Sequence, residues 1–306
     1  MDTDWLEDFL AILDSGGFSR AAEVRHVTQS ALSRRIRSLE DWVGAPLFNR
    51  TTQSVTLSPA GEAFRVTAEE TLRRLAVGRV EAMERAQDDS GILRFASTNA
   101  LSLVFFPVWL RRVEATLPFH ANIQLVASHM EACERIMMHG EAQFLLCHYH
   151  PAASTALSAG QFRSLKIGSD VLMPVSAPQS GADDEPLYAL PGQPDAPLPY
   201  LSYRSESGMG RIVSTVRNAS RLKAWLKPTF TSHLAKLLVT MALERRGMAW
   251  LPQSLIGEYR DSGALVRAGD TDWDVPIEIH IFRAVPRQSP MAEKLWAHLQ
   301  EHSQMS

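Results

Sequence analysis

Lysine is missing from the first half of this chain. None occurs before Lys166, so phosphate contacts in the N-terminal region would fall to Arg, backbone amides and hydroxyls. Cysteine is also scarce. Cys133 and Cys147, two in 306 residues, cannot form a disulfide framework. No run of about 18 apolar residues exists, which excludes a membrane-spanning helix. The start, Met1-Asp2-Thr3-Asp4-Trp5, is acidic and lacks a signal-peptide core, which predicts a cytoplasmic protein. The net charge of -3 gives no overall basic bias. Nucleophile-elbow, P-loop and GxGxxG patterns are absent, so nothing predicts an enzyme or a cofactor.

One segment is rich in information. From Phe18 to Arg50 six Arg (20, 25, 34, 35, 37 and 50) face only Glu23, Glu40 and Asp41. Ser19 is placed to cap a short helix with Ala21, Ala22 and Val24 apolar, and the small Ala pair lets a second helix approach closely. His26-Val27 makes a turn. Thr28 caps a second helix in which Ala31, Leu32, Ile36 and Leu39 recur at helical spacing. The opposite face presents Gln29, Ser30, Ser33, Arg34 and Arg37. Gln and Arg pair bidentately with adenine and guanine edges, and Ser adapts to either. A hairpin serving only protein contacts would not need that face. The pattern is a helix-turn-helix with its recognition helix set for the major groove.

Flanking elements fit. Leu6, Phe9, Leu10 and Leu13 form a helical stripe ended by Ser15-Gly16-Gly17. Thr51 to Leu57 reads as a hairpin, a wing with Arg50 at its base, where it can reach backbone or minor groove. Ser58-Pro59 is a helix start. The next helix runs to about Ala86, with Ala68, Leu72, Leu75, Ala82 and Ala86 at a coiled-coil-like spacing. A long helix with one apolar seam needs a partner, and two-fold symmetry suits a two-half-site operator, so this helix is expected to make a homodimer.

Ser19-x-Ala21-Ala22, Gln29-Ser30-Ala31-Leu32-Ser33, Ile36-x-x-Leu39-Glu40, Gly44-x-Pro46-Leu47-Phe48-x-Arg50 and Leu57-Ser58-x-x-Gly61 together resemble the signature of LysR-type transcriptional regulators. That family usually has Pro where Ser30 stands, a difference that bears on base preference. The resemblance implies promoter DNA as a partner, a homotetramer built by effector-domain contacts, and RNA polymerase as a further partner.

Beyond a hinge at Asp88-Asp89-Ser90-Gly91 the pattern alternates strands and helices. Strands are expected at Ile92 to Ala96, Ile123 to Val126, Phe144 to Cys147, Val171 to Val175, Leu201 to Tyr203, Thr229 to Thr231, Met248 to Leu251 and Pro276 to Phe282. Helices are expected at Phe105 to Val113, Glu131 to His139, Arg211 to Val216, Leu234 to Arg245 and Met291 to His302. Pro178 to Pro199 reads mostly as loop. Repeated βαβ units imply a mainly parallel sheet. This resembles the LysR effector-binding region, two α/β subdomains like a periplasmic binding protein, with crossings near Leu165 to Ser169 and Ala268 to Pro276. The expected plan is a winged helix-turn-helix at 1–57, a linker helix at 58–88 and an effector-binding domain at 89–306. The latter divides into subdomain I (about 92–168 and 272–306) and subdomain II (about 169–271).

Ligands bind such sheets at the carboxyl ends of strands. The ends here are polar: Thr98, Asn99, Leu101 and Ser102 after the first strand, Ser128 after the second, His148 on the third. In the second subdomain they are Ser205, Ser207 and Met209, then Thr231, Ser232 and His233. These suit a small anionic or polar effector; singly, Thr98, Ser128 and Ser232 also read as ordinary helix caps. Ser202-Tyr203-x-x-x-Ser207-x-Met209-Gly210-Arg211, Gly247-Met248-Ala249-Trp250-Leu251-Pro252 and Pro290-Met291-Ala292-Glu293 resemble the hypochlorite-responsive branch of the family. That resemblance implies an oxidant as the signal and makes Met209 the redox candidate, since oxidation turns a flexible apolar side chain polar. The alternative for Met209 is a filler of the cleft wall. On a strand His148 and His150 share a face and Cys147 takes the other, which leaves two ligands and no third, so no metal is expected. The reading is a one-component transcription factor sensing a small effector or oxidant. The alternative is a two-lobed solute-binding or transport protein, which would not need the N-terminal domain.

Overall fold

A computed structural model of the chain describes residues 2–50, 55–86, 92–117 and 121–303. They form two compact units, Met1–Gln87 with Met138–Glu141, and the remainder.

The first unit contains α1 (Thr3–Ser15), α2 (Phe18–Val24), α3 (Gln29–Val43), β1 (Phe48–Arg50), β2 (Val55–Leu57) and α4 (Pro59–Ala86). Leu6, Phe9 and Ile12 of α1 pack against Ala21 and Ala22 of α2 and Leu32, Ile36 and Leu39 of α3, all buried in one core. Each fully buried Leu or Ile contributes about 1.5–3 kcal/mol over exposure. Ser19 does not cap α2. The helix begins at Phe18 after Gly17, so the Ser19 hydroxyl sits inside the first turn, too late to accept its amides. Thr28 does cap α3, accepting from the Ala31 amide at 3.2 Å. His26 takes a left-handed φ of 53° in the turn.

The wing is joined to the helices by polar groups. Glu40 Oε1 accepts from the amides of Leu47 (2.8 Å) and Phe48 (3.3 Å). Ser58 Oγ accepts from the Gly61 amide at 3.0 Å and donates to the Pro46 carbonyl at 2.6 Å. A Cβ on Gly61 would stand 2.1 Å from the Leu47 carbonyl oxygen, so only glycine fits. The strands pair antiparallel, Phe48 with Leu57; the tip, 51–54, lies outside the described residues, as does the expected hinge at 88–91. The apolar seam of α4 is split. Ala68 is fully buried and Leu72 packs on the unit's own core, whereas Leu75 is 52% exposed.

The second unit runs β3 (Ile92–Thr98), α5 (Asn99–Val104), α6 (Phe106–Thr116), β4 (Asn122–Ser128), α7 (Met130–Met138), β5 (Phe144–Tyr149), β6 (Phe162–Ser176), β7 (Pro178–Gln179), β8 (Ala182–Pro186), β9 (Leu198–Tyr203), α8 (Gly208–Ala219), β10 (Leu226–Ser232), α9 (Ala235–Leu243), β11 (Ala249–Pro252), α10 (Gln253–Asp261), β12 (Val266–Arg267), β13 (Val275–Ala284) and α11 (Pro290–Ser303). The main sheet has the order β11-β6-β13-β5-β3-β4, with β12 beside β6; β9 and β10 pair separately. The expectation of a mainly parallel sheet is corrected. β3 is parallel to β4 and β5, but β13 is antiparallel to β5 and β6, as is β11 to β6. The two long strands pass between lobes and return, which sets them against their neighbours. The expected loop from Pro178 contains the β7–β8 hairpin.

Two cores lie along this sheet. One holds Phe95, Trp109, Phe144, Ile279 and Trp296; the other holds Leu172, Val239, Trp250, Val275 and Ile277. The return crossing therefore falls inside β13, between Ile277 and Ile279, later than Ala268 to Pro276. Ala268 itself is buried in the second core.

Candidate nucleic-acid interface and effector cleft

On α3 the residues Gln29, Ser30, Arg34 and Arg37 are exposed and Ser33 is half-buried, opposite Leu32, Ile36 and Leu39. The Ser30 hydroxyl lies 3.1 Å from that of Thr28. Two of the six Arg are engaged internally. Asp8, fully buried on α1, takes Arg25 Nε at 2.8 Å and Arg35 Nη1 at 3.1 Å. Arg25 also reaches Glu7 at 2.6 Å. This clamp ties α1 to both helices of the motif, and it removes Arg25 and Arg35 from the outward charge that composition suggests. Arg50 belongs to β1 by its backbone, opposite Val55; its side chain lies outside the described residues.

In the second unit a cleft opens between the two lobes. It is lined by Thr98, Asn99, Ala100, Ser128, His129, Met130 and His148 from the first lobe and Ser207, Gly208, Met209, His233 and Ala235 from the second. It encloses about 360 Å³ including the part open to solvent. Strand ends β3, β4, β5 and β10 and the openings of α5, α7, α8 and α9 converge there. Ser207 caps α8 through the Gly210 amide at 3.4 Å. Met209 is 7% exposed and forms wall and core at once. His129 accepts from the Ala132 amide at 3.3 Å, and its ring meets His233 edge-on at 5.4 Å across the cleft.

Five expected residues are placed elsewhere. Leu101 is fully buried in the first-lobe core, because it lies on the inward face of α5. Ser102 donates to the Asn99 carbonyl of its own turn at 2.8 Å. Ser205 is exposed and donates to Glu206. Thr231 is exposed and pairs with Ser202 at 2.8 Å. Ser232 is spent as a cap, accepting from the Leu234 amide at 3.0 Å. Sequence reasoning misses Met130 and Ala235; Ala100, His129 and Gly208 lie in the stretches it marks as strand ends but are not singled out. Their signal is adjacency to a strand end, not polarity.

Behind the cleft, Asp170 lies on β6. Its Oδ2 accepts from Ser254 Oγ at 2.5 Å and is 3.7 Å from His148 Nε2. Burial pushes this carboxyl up, but His148, Ser254 and the Val171 amide outweigh it, so it stays below the usual range. Across the lobes Glu134, 2% exposed, accepts from Arg211 at 2.9 Å, Thr155 at 2.8 Å and the Ala156 amide at 2.9 Å. Burial raises both thiols, Cys133 to about 12 and Cys147 further, so neither is a reactive thiolate. Among the described residues no three His, Cys, Asp or Glu side chains group to hold a metal, and no helix is long and apolar enough to cross a membrane.

Comparison with known proteins agrees with this division. Residues 3–62 match the bacterial regulatory helix-turn-helix protein, lysR family, and residues 86–304 match the LysR substrate binding domain. The HTH-type transcriptional regulator YjiE of Escherichia coli (strain K12) is 30% identical over 302 residues, 98% of this chain and 95% of the relative. The structure of Vibrio fischeri DarR in complex with DNA is similar with a TM-score of 0.55 and 30% identity, covering 98% of each chain. The full-length structure of HypT from Salmonella typhimurium, a hypochlorite-specific LysR-type transcriptional regulator, is similar with a TM-score of 0.57 and 28% identity over 99% of each.

Proposed function

The chain belongs to the LysR family of DNA-binding transcriptional regulators, and on that premise we propose that α3 reads promoter DNA while the cleft of the second unit senses a small effector or oxidant. The carrying observation is the exposed row Gln29, Ser30, Arg34 and Arg37 on a helix whose other face is fully packed. Gln29, Ser30, Ser33 and Arg34 meet base edges, and Arg37 and Arg50 meet phosphates. Exposed Leu75 on α4 supports a homodimer seam, and its two-fold symmetry suits an interrupted inverted repeat. A homotetramer, contact with RNA polymerase and a cytoplasmic location belong to the same proposal, supported by likeness to the family. This is a family of regulators rather than of enzymes.

The signal has two forms. A ligand would occupy the cleft between Thr98, Asn99, Ser128, His148, Ser207 and His233. An oxidant would convert Met209, whose thioether lines the wall at the opening of α8, to the sulfoxide; the hypochlorite-specific HypT favours that form by likeness alone. Sequencing of genomic fragments captured by the purified protein should return one interrupted inverted repeat. Transcription from that promoter, with and without hypochlorite, separates the forms. Met209→Ile should abolish an oxidant response and Met209→Gln should mimic it. A normal response in Met209→Ile removes that residue from the mechanism, and capture of DNA without sequence preference overturns the reading as a whole.

A further inference from the structure

We propose that the first lobe carries a second ligand site, outside the cleft, which takes an aromatic monocarboxylate and is tied to the cleft through Glu134.

The site is a pocket at the free edge of β6. From Phe162 to Gly168 this strand pairs only with β13; β11 joins it from Leu172 and β12 from Val175. Side chains from both faces of β6 therefore reach the opening. Ser164 lies on the face of Phe282. Arg163 lies on the other face, opposite Arg283, whose guanidinium sits 5.5 Å from the Trp296 ring centre. The pocket encloses about 1020 Å³ including the part open to solvent, room enough for a ring with a short chain. Its walls are aromatic. Tyr149, Phe162, Phe282 and Trp296 line it, and the Tyr149 and Phe282 rings stand 6.3 Å apart. An aromatic body gains burial and ring contacts there.

Charge selects an anion. Arg163 is the one charged residue among those described that line the pocket. It is exposed, and no hydrogen bond or ion pair holds it among the described residues. The neighbouring carboxylates are compensated, Glu278 by Lys166 at 2.9 Å and Glu293 by Arg283 at 2.7 Å. A guanidinium fork at the rim of an aromatic pocket fits a carboxylate whose apolar part enters the pocket.

Glu134 joins this pocket to the cleft. Its Oε1 accepts from Thr155 Oγ1 at 2.8 Å and from the Ala156 amide at 2.9 Å, and Thr155 Oγ1 accepts from the Leu157 amide at 3.2 Å. Thr155 and Leu157 form a wall of the pocket. Glu134 Oε2 takes Arg211 of α8 at 2.9 Å. The first turn of α8, with Gly208 and Met209, is a wall of the cleft. Glu134 is 2% exposed, so water does not replace a partner that moves away. A ligand that displaces Thr155 and Leu157 therefore changes the hold on Arg211, and by linkage the cleft acts back on the pocket.

The test is saturation-transfer NMR on the full-length protein with phenylbutyrate as the probe. It should bind saturably, and phenylbutanamide, similar in shape but uncharged, about fivefold more weakly, the factor set by one exposed ion pair. Arg163→Gln should bring the acid down to the level of the amide and leave the amide unchanged. Ser164→Trp, at an exposed position on the rim, should fill the opening and abolish both. Crystals of the unsubstituted protein soaked in para-iodophenylbutyrate should give an anomalous peak beside Tyr149 and Phe282, independent of how the variants fold. Hydrogen exchange should change on probe binding in segments 153–160 and 207–213. In Glu134→Gln, which keeps an oxygen for Thr155 and Ala156 but loses the charge that holds Arg211, only 153–160 should respond. Binding that survives Ser164→Trp, equal binding of acid and amide, or iodine in the cleft with the pocket empty overturns the site. A response at 207–213 that is missing from the parent, or that persists in Glu134→Gln, overturns the tie through Glu134. The reading of the cleft as a sensor is decided separately, by the Met209 variants.

Discussion

The arginines of the helix-turn-helix should divide into two kinds under mutation. Arg35 Nη1 lies 3.1 Å from Asp8 Oδ2, and Asp8 is fully buried. A hydrogen bond to a charged group contributes about 1.5–3 kcal/mol. Arg35 is 32% exposed and Arg25 still holds the other oxygen at 2.8 Å, so solvent and the second partner reduce the loss in Arg35→Gln to about 1–2 kcal/mol. That is roughly a 5- to 30-fold change in the folded ratio of this unit, readable as weakened hydrogen-exchange protection of the α1 and α3 amides in the full-length protein. The salt dependence of DNA binding should not move. Arg34→Ala should do the reverse. It should leave exchange protection intact, cost about 1–3 kcal/mol per half-site on the cognate operator, and relax preference at one base position. Arg37→Ala should weaken cognate and scrambled duplexes alike. It should also lower the salt slope by about 0.9 for each phosphate the protein no longer neutralises, twice over in a dimer. Fluorescence anisotropy on both duplexes from about 50 to 200 mM salt measures the DNA-binding side of all three variants. A reduced salt slope with unchanged protection in Arg35→Gln would mean that Arg35 faces DNA and the Asp8 clamp does not hold it.

Leu75→Glu places a charge on the exposed side of α4 without touching the buried Ala68 and packed Leu72. Light scattering should show a smaller species and DNA binding should fall with it; an unchanged oligomer would place the dimer seam elsewhere. Asp170 sets an acid limit. Its folded-state pKa is depressed, so its contribution is fully present above the ordinary value of about 3.9 and is lost as pH falls through the folded value. Denaturant titrations between about pH 6 and 3 should show a smaller stability loss in Asp170→Asn than in the parent; identical slopes would refute the assignment.

Much of the first unit was determined by sequence alone, because its interactions are local or periodic. Leu32, Ile36 and Leu39 declare a buried helical face, Thr28 stands one residue before the helix it caps, and Ser58-Pro59 sets the start of α4. The family signature was legible for the same reason, since Glu40 and Gly61 each answer to a nearby backbone contact. Tertiary structure alone decided which charges remain free, because Asp8 lies 17 and 27 residues from the arginines it holds. It also decided the strand directions of the second unit. A strand's own alternation carries no record of its neighbour, and β6 passes through both lobes before β13 returns beside it. The cleft divides the same way. Polar strand ends pointed to it, but whether a hydroxyl is spent on a local amide, as in Ser232, or left unpartnered, as in Thr98, depends on how the surrounding turns fold. His148 meets Asp170 because β5 and β6 both flank β13, a pairing that no strand's own sequence records, and it shares the cleft with the opening of α8.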